Sequence, residues 1–175
     1  MNLDRPTPPD PYSFLPKVAT FAVDAAFPDG GQLPEEQVYA KGNASPALRW
    51  SGAPEGTKSY AVTCYDPDAP TPSGFWHWFV ANIPADVQEL PAGAGVEHGG
   101  ELPTGAIQLA NDYGTRDFGG AAPPEGDRPH RYMFVVAALD VEHLDLEADT
   151  HAAKASFMML QHIIGRAFVT GMYAA

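Results

Sequence analysis

The chain has 175 residues, 45% of them hydrophobic and 18% charged, a balance typical of one globular domain rather than a disordered segment. Its formal net charge of -12 repels nucleic-acid phosphates at long range, which argues against a nucleic-acid partner. An anionic ligand would therefore have to be captured locally, by donors inside a pocket. No run approaches the ~20 apolar residues of a membrane span, and no secretory pattern opens the chain, so we expect a cytoplasmic protein.

The chain divides into a proline-rich arm, residues 1–16, and a single domain over residues 17–175. The arm has little periodicity, which predicts an extended segment packed on the body or on a partner chain. In the domain, apolar and β-branched runs predict strands over residues 18–23, 59–65, 76–83, 106–109, 130–139 and 167–173. Apolar residues at helical spacing predict one helix over residues 149–164, with Asp149 or Thr150 as its N-cap.

Side chains alternate across a strand, which assigns the aromatic and histidine residues to faces. In the third predicted strand, His77 and Phe79 share one face, whereas Trp76 and Trp78 share the other. The chain has one cysteine, Cys64, which lies in the apolar run of the preceding strand and is predicted to be a buried structural thiol. No intramolecular disulfide can form, which fits a reducing compartment.

Three short clusters carry residues that could do chemistry. Two carboxylates, Asp66 and Asp68, leave the end of a predicted strand and are followed at once by prolines, which restrict the backbone. His77 lies inside a strand, and His130 opens a strand after the Pro-Pro-Glu-Gly run of residues 123–126. A loop rich in glycine and proline can present several backbone N–H groups toward one point and so hold an anion. Each cluster alone also fits a plain turn, a core histidine or a connecting loop.

Together, Asp66, Asp68, His77 and His130 form a candidate anion-binding set. A histidine can hydrogen-bond a phosphate, and a neighbouring carboxylate raises its pKa and fixes its orientation. The same side-chain types also bind divalent metals, but their spacing lacks a dense ligand motif, so we expect no metal. An enzyme that uses this set for acid–base work stays open as the alternative. The sequence contains no Gly-x-Ser-x-Gly motif, no phosphate-binding loop and no dinucleotide fingerprint.

Four segments, in order along the chain, resemble the phosphatidylethanolamine-binding protein family, also called Raf-kinase-inhibitor-like proteins. Residues 66–70 (Asp-Pro-Asp-Ala-Pro) look like the first family signature, and residues 123–126 with the His-Arg-Tyr of 130–132 look like the second. Residues 42–50 are similar to the family's upstream segment, and residues 168–173 resemble its terminal strand. The resemblance covers nearly the whole domain and is strongest to the compact bacterial branch.

The resemblance implies a mainly β fold, an antiparallel β-sandwich of two sheets with a few peripheral helices, one of them near the C-terminus. It also implies a ligand-binding pocket. By position, the pocket residues in this chain are Asp66, Asp68, Pro70, His77, Gly120, Ala122, Pro124, His130, Tyr132 and Tyr173. The chain departs from many relatives before the double proline, where the methyl group of Ala122 is expected to narrow the pocket mouth. Phe75 stands where some relatives have tryptophan, which keeps an aromatic wall.

The implied function is the binding of a phosphate-like or phospholipid head-group anion, with modulation of a protein partner such as a kinase or a protease. We assign no catalytic residue and expect no cofactor. The alternative is an enzyme that uses the Asp and His side chains for acid–base or hydrolytic chemistry on a small phosphorylated or carbonyl substrate. The proline-rich arm and the aromatic content also predict a homodimer.

Overall fold

A computed structural model describes residues 3–96 and 100–175 of the chain. Its strands are β1 (Ala19–Thr20), β2 (Ala22–Ala25), β3 (Gly31–Gln32), β4 (Leu48–Ser51), β5 (Ser59–Asp66), β6 (Phe75–Pro84), β7 (Glu89–Leu90), β8 (Ile107–Gln108), β9 (His130–Leu139) and β10 (Ile163–Tyr173). Helix α1 spans Ala152–Leu160, and short 3₁₀ helices span Pro11–Phe14 and Glu35–Gln37. Within these described residues every peptide bond is trans, and no helix is long and apolar enough to cross a membrane.

Two sheets form the scaffold. The larger sheet has seven strands, six of them in the order β1-β10-β9-β5-β6-β8, and β3 also pairs with β10; the smaller sheet has the order β2-β4-β7. The long strands β5, β6, β9 and β10 pair antiparallel with one another, whereas the two-residue strands β1 and β3 run parallel to β10. Strands β5 and β9 are buried along almost their whole length, because both faces of the larger sheet are covered.

The main hydrophobic core lies between the two sheets. Trp50 of the smaller sheet packs in one cluster with Trp78 and Phe134 of the larger sheet, and all three are almost fully buried. A second core, which includes Phe79 and Met159, fills the space between the opposite face of the larger sheet and α1. Burial of each such side chain contributes about 1.5–3 kcal/mol. The expected mainly β fold of two sheets, with a helix near the C-terminus, is confirmed.

The C-terminal helix is shorter than the sequence predicts. We expected it over residues 149–164 with a side-chain cap from Asp149 or Thr150. Instead it begins after His151, which makes no side-chain cap bond, and it ends at Leu160. The residues that follow enter β10, which pairs with β9 along its whole length. They include β-branched residues that favour strands, so tertiary pairing overrides the helical periodicity of the sequence.

A β-bulge in β6 turns His77 to the side of the sheet opposite to the one predicted. Two residues of β5 there oppose three residues of β6, so His77 has no partner and the two-residue alternation is broken. The His77 ring lies 5.1 Å from the ring of Tyr132, in the core between the sheets, whereas Phe79 packs in the other core. Trp76 and Trp78, expected on one face, also pack against different cores. The predicted face assignment was wrong because a bulge leaves no mark in the periodicity.

Candidate functional site

Neighbouring strand ends bring Asp66 and His130 together. Asp66 ends β5 and His130 begins β9. Because these two strands are antiparallel neighbours, both residues lie at the same end of the sheet. His130 Nδ1 lies 2.7 Å from Asp66 Oδ2, and both side chains are buried. The other oxygen of Asp66 accepts the backbone N–H groups of Asp68 at 2.7 Å and Ala69 at 3.1 Å. The Asp-Pro turn therefore fixes the carboxylate that orients the histidine ring.

Asp127, which the sequence analysis did not single out, holds the second nitrogen of His130. His130 Nε2 lies 3.1 Å from Asp127 Oδ2, so the ring bridges two carboxylates. Burial disfavours the charged ring, but the hydrogen bonds and attraction from Asp66 and Asp127 outweigh it and raise the pKa of His130. The hydrogen bond from His130 in turn lowers the pKa of Asp127. An acidic residue three positions before a strand-opening histidine is the sequence signal that could have identified Asp127.

Asp68 holds arginines rather than a histidine. Its Oδ2 accepts Arg131 Nε at 2.7 Å and the Arg131 backbone N–H at 3.0 Å, and its Oδ1 accepts Arg131 Nη2 at 3.1 Å. Arg128 Nη2 lies 3.3 Å from the same Oδ1. Burial disfavours the ionised carboxylate, yet these donors lower the pKa of Asp68. Of the two aspartates expected to orient a histidine, only Asp66 makes such a contact.

The contacts described above form one ionic cluster, which comprises Asp66, Asp68, Asp127, Arg128, His130 and Arg131. The N-terminal arm crosses its outer side. Arg5 Nη1 donates to Asp127 Oδ2 at 2.8 Å, so a residue of the arm neutralises a carboxylate of the site. Two arginines of the domain hold the arm backbone in return. Arg128 Nη1 donates to the Arg5 carbonyl at 2.7 Å, and Arg131 Nη2 donates to the Pro8 carbonyl at 2.8 Å. The arm packs on the body, one of the two placements expected from sequence.

His77 and Tyr132 supply buried polar atoms that the protein does not fully pair. His77 Nδ1 lies 2.7 Å from the Gly119 carbonyl, and because a carbonyl only accepts, Nδ1 carries the proton and Nε2 has a lone pair. Burial lowers the pKa of His77, which favours this neutral ring. Burial also raises the pKa of the Tyr132 phenol, and the nearby Ala122 backbone opposes this only weakly. Across the part of the chain that the structure describes, the Tyr132 hydroxyl has no well-formed hydrogen bond.

Aromatic rings form a wall beside His77. The ring of Phe75 lies 5.0 Å from the His77 ring and the ring of Tyr113 lies 5.6 Å from it, and these two wall rings are 4.7 Å apart. The Tyr113 hydroxyl donates to the Gly120 carbonyl at 2.9 Å, which ties the wall to the glycine-rich loop. Phe75 occupies the position expected of it. Tyr113 was missed because it lies in a stretch without secondary-structure signal.

Gly120 allows close approach of two loops. Its N–H donates to Asn43 Oδ1 at 2.7 Å, and a Cβ atom at this position would lie 2.5 Å from the Gln37 carbonyl oxygen. A side chain of any size would therefore push the loop away from the segment that contains Gln37. The glycine fixes the position of the wall rather than contributing a functional group.

The structure brings the titratable residues of the expected site into one cluster, which comprises Asp66, Asp68, His77, His130 and Tyr132. Tyr173 is half-buried and pairs with His130 in the β9–β10 ladder, Pro124 is half-buried, and Ala122 and Pro70 are exposed. Pro70 lines a separate surface cavity together with Arg5 and Pro8 of the arm. In residues 3–96 and 100–175, no group of three or more His, Cys, Asp or Glu side chains is arranged to hold a metal ion.

Comparison with known proteins agrees with this arrangement of motifs. The family model described as phosphatidylethanolamine-binding protein matches residues 23–174. The chain is 47% identical to the UPF0098 protein YbcL of Escherichia coli K12 over 167 residues, which cover 92% of this chain and 91% of that protein. It is 44% identical to the UPF0098 protein YbhB of the same strain over 151 residues, with coverages of 83% and 94%.

Solved structures show the same similarity at the level of the fold. The crystal structure of E. coli YbcL, described as a new member of the mammalian PEBP family, matches with a TM-score of 0.86 at 47% identity and covers 89% of this chain and 98% of that one. The structure of CT736 from Chlamydia trachomatis matches with a TM-score of 0.75 at 28% identity, with coverages of 90% and 98%. These matches confirm the resemblance seen in the motifs, and the chain belongs to the phosphatidylethanolamine-binding protein family.

Proposed function

We propose that the chain binds a small phosphate-bearing anion beside His77 and Tyr132. The observation that carries this proposal is the buried Tyr132 hydroxyl, which has no hydrogen-bond partner among the described residues, on a ring 5.1 Å from the ring of His77, whose Nε2 keeps its lone pair. A buried polar group left unpaired costs about 1–3 kcal/mol. A ligand that hydrogen-bonds both groups recovers that free energy.

The ion pairs next to the proposed site carry a small positive excess on a strongly acidic chain. The cluster around the site holds four cationic groups, Arg5, Arg128, Arg131 and protonated His130, against three carboxylates, Asp66, Asp68 and Asp127. The ion pairs are short and largely shielded from water, so water screens their electrostatic interactions only weakly. These neighbouring groups therefore carry one excess positive charge below the raised pKa of His130, whereas the charges that act on the His77 ring itself are those of Asp66 and Asp112.

The protonation state of His77 selects the form of the ligand. A neutral Nε2 accepts a hydrogen bond, so the anion must offer it an O–H group, while the Tyr132 hydroxyl donates to another oxygen. A phosphate monoester has such an O–H only as its monoanion, which predominates below a second pKa of about 6. We therefore expect affinity for a phosphate monoester to rise as the pH falls toward 6. The family name adds phosphoethanolamine, the polar head of phosphatidylethanolamine, as the first ligand to test.

A phosphorus NMR titration with phosphoethanolamine tests the proposal. The wild-type chain should bind saturably, and Tyr132→Phe, which removes only the hydroxyl, should weaken binding by about tenfold. His77→Gln should weaken it similarly. The matched control is Tyr39→Phe, because Tyr39 is 46% exposed and lies outside the proposed contacts. Absence of wild-type binding, or equal affinities of the Tyr132 and Tyr39 variants, would refute the proposal.

An acid–base enzyme is the second candidate, and one observation favours it. Both nitrogens of His130 are occupied by carboxylates, but the free Nε2 of neutral His77 has the form that a general base requires. A screen of small phosphate esters and carbonyl compounds tests this candidate. Turnover that is lost in His77→Gln and kept in Tyr39→Phe would support it, and turnover that survives His77→Gln would refute the assignment.

We also propose that the chain modulates a kinase or a protease and that it forms a homodimer. The arm supports an assembly role, because Phe14 is 73% exposed next to the segment that packs on the site rim. Light scattering of the wild type and of Phe14→Ser tests the dimer. A monomeric wild type would refute it. Inhibition assays with purified kinases and proteases, and cell fractionation for the expected cytoplasmic location, test the remaining parts.

A further inference from the structure

A cavity of about 340 Å³ lies on the face of the larger sheet opposite to His77, between α1 and the 3₁₀ helix Pro11–Phe14. Its lining is mostly apolar and includes Leu15, Trp76, Val135, Ala137, Met159 and Leu160. Sites for small molecules usually measure about 300–1,000 Å³ and are lined mainly by apolar side chains. The size and lining of this cavity therefore suit a small ligand with an apolar body.

Arg166 in the wall of this cavity is a buried cation without an anion. The residue is 5% exposed, its Nη1 donates to the Pro16 carbonyl at 3.0 Å, and its buried Nη2 has no partner. Across the described ranges, no carboxylate forms an ion pair with it. Burial lowers the pKa of the guanidinium, which nevertheless stays charged at neutral pH. An unpaired buried charge is costly, and an anionic ligand would remove that cost.

Hydroxyl groups also line the cavity. Tyr12, Thr63 and Ser156 line it together with Arg166, and the Ser156 Oγ is buried without a partner. Burial raises the pKa of Tyr12 to about 12, so its hydroxyl stays a donor at neutral pH. A guanidinium beside hydroxyl donors is chemistry that holds a carboxylate by charge-assisted hydrogen bonds.

We propose that this cavity is a second binding site, which takes a medium-chain carboxylate with its tail among the apolar side chains and its carboxylate on Arg166. The Nη2 atom is shielded from solvent, so the contact requires a rotation of the guanidinium toward the cavity that it lines. Phe157, which lines the cavity and is 78% exposed, provides an apolar mouth. The site is independent of the proposed phosphate site, because the two lie on opposite faces of the sheet.

Titration calorimetry on the full chain, with sodium octanoate as the probe, tests the proposal. Octanoate should bind saturably at one site. 1-Octanol, which has the same tail and no charge, should bind at least about tenfold more weakly. Octyltrimethylammonium, which carries the opposite charge, should bind still more weakly. Absence of octanoate binding, or an equal affinity for octanol, would overturn the proposal without the need for any variant.

Arg166→Met removes the charge and keeps an apolar side chain of similar length. It should lower the octanoate affinity at least about tenfold and leave the octanol affinity unchanged. The matched control is Arg49→Met, because the Arg49 side chain is 75% exposed and pairs with Glu89 at the surface. Equal octanoate affinities of the two variants would overturn the assignment of Arg166.

A second copy of this chain is the other occupant that an exposed apolar mouth could accept. It would give self-association that Phe157→Ser abolishes, together with no octanoate binding. That combination would overturn the carboxylate proposal. Octanoate binding by a monomeric chain would support it.

Discussion

Replacement of Asp68 by asparagine tests how much the ion pairs of Asp68 contribute to the stability of the fold. The Asp68 side chain is 2% exposed, and the change leaves Arg131 and Arg128, which are 20% and 26% exposed, without their anion. Breaking a fully buried ion pair costs about 3–5 kcal/mol, and because both arginines keep some contact with water, we expect a loss of about 2–3 kcal/mol. For a chain of this length the corresponding decrease in Tm is roughly 4–12 °C.

Urea unfolding followed by tryptophan fluorescence measures this loss directly. The matched control is Glu89→Gln, which removes a carboxylate that is 62% exposed and pairs with Arg49 on the surface. Such exposed pairs contribute about 0–1 kcal/mol. If Asp68→Asn is as stable as Glu89→Gln, Asp68 does not neutralise the two arginines, and the reasoning is refuted.

Three further measurements address single features of the fold and the site. In histidine NMR titrations His130 should titrate above 6.5 and His77 below it. The charge on His130 therefore stabilises the fold below about pH 6.5, and this contribution is lost as the pH rises through its raised pKa. A pKa of His77 above that of His130 would contradict the assigned hydrogen bonds. Gly120→Ala should lower the free energy of unfolding by about 1–3 kcal/mol, because its Cβ would meet a backbone carbonyl. At Gly100 the nearest atom of the described residues to a Cβ is 3.8 Å away, so Gly100→Ala should have no such effect, and equal losses in the two variants would argue against a steric cause. Cys64 is fully buried, and burial raises the pKa of its thiol, so it should react with thiol reagents only after unfolding; rapid modification of the native protein would show that the strand opens.

The regular parts of the fold were predictable because they depend on local apolar runs. Strand β9 begins and ends at the predicted residues, and β5 extends the predicted strand by one residue, since both are continuous apolar stretches. The end of α1 was not predictable, because the residues beyond Leu160 belong to β10 only through their pairing with β9. Strand β4 was likewise missed, because its alternation of apolar and polar residues is only four residues long and lies in a turn-rich stretch.

The candidate site shows the same division between local and long-range information. Asp66, Asp68, His77 and His130 were identified from motifs, and the structure gathers them. Their roles depend on partners far away in sequence. Arg5 reaches Asp127 across 122 positions, which no local pattern shows. The bulge that aims His77 at Tyr132 is a property of strand pairing rather than of the residues beside it.

Carbon-detected histidine NMR during a titration with inorganic phosphate, at about pH 6, tests the phosphate site most directly. The site predicts that the His77 ring signals shift saturably while the ring stays neutral, because the bound phosphate donates its O–H group to Nε2. His162 is 29% exposed and pairs with Asp140 outside the cluster, so its signals serve as the internal control and should not move. Unchanged His77 signals at high phosphate, or equal shifts of His77 and His162, would contradict the existence of an anion site at His77.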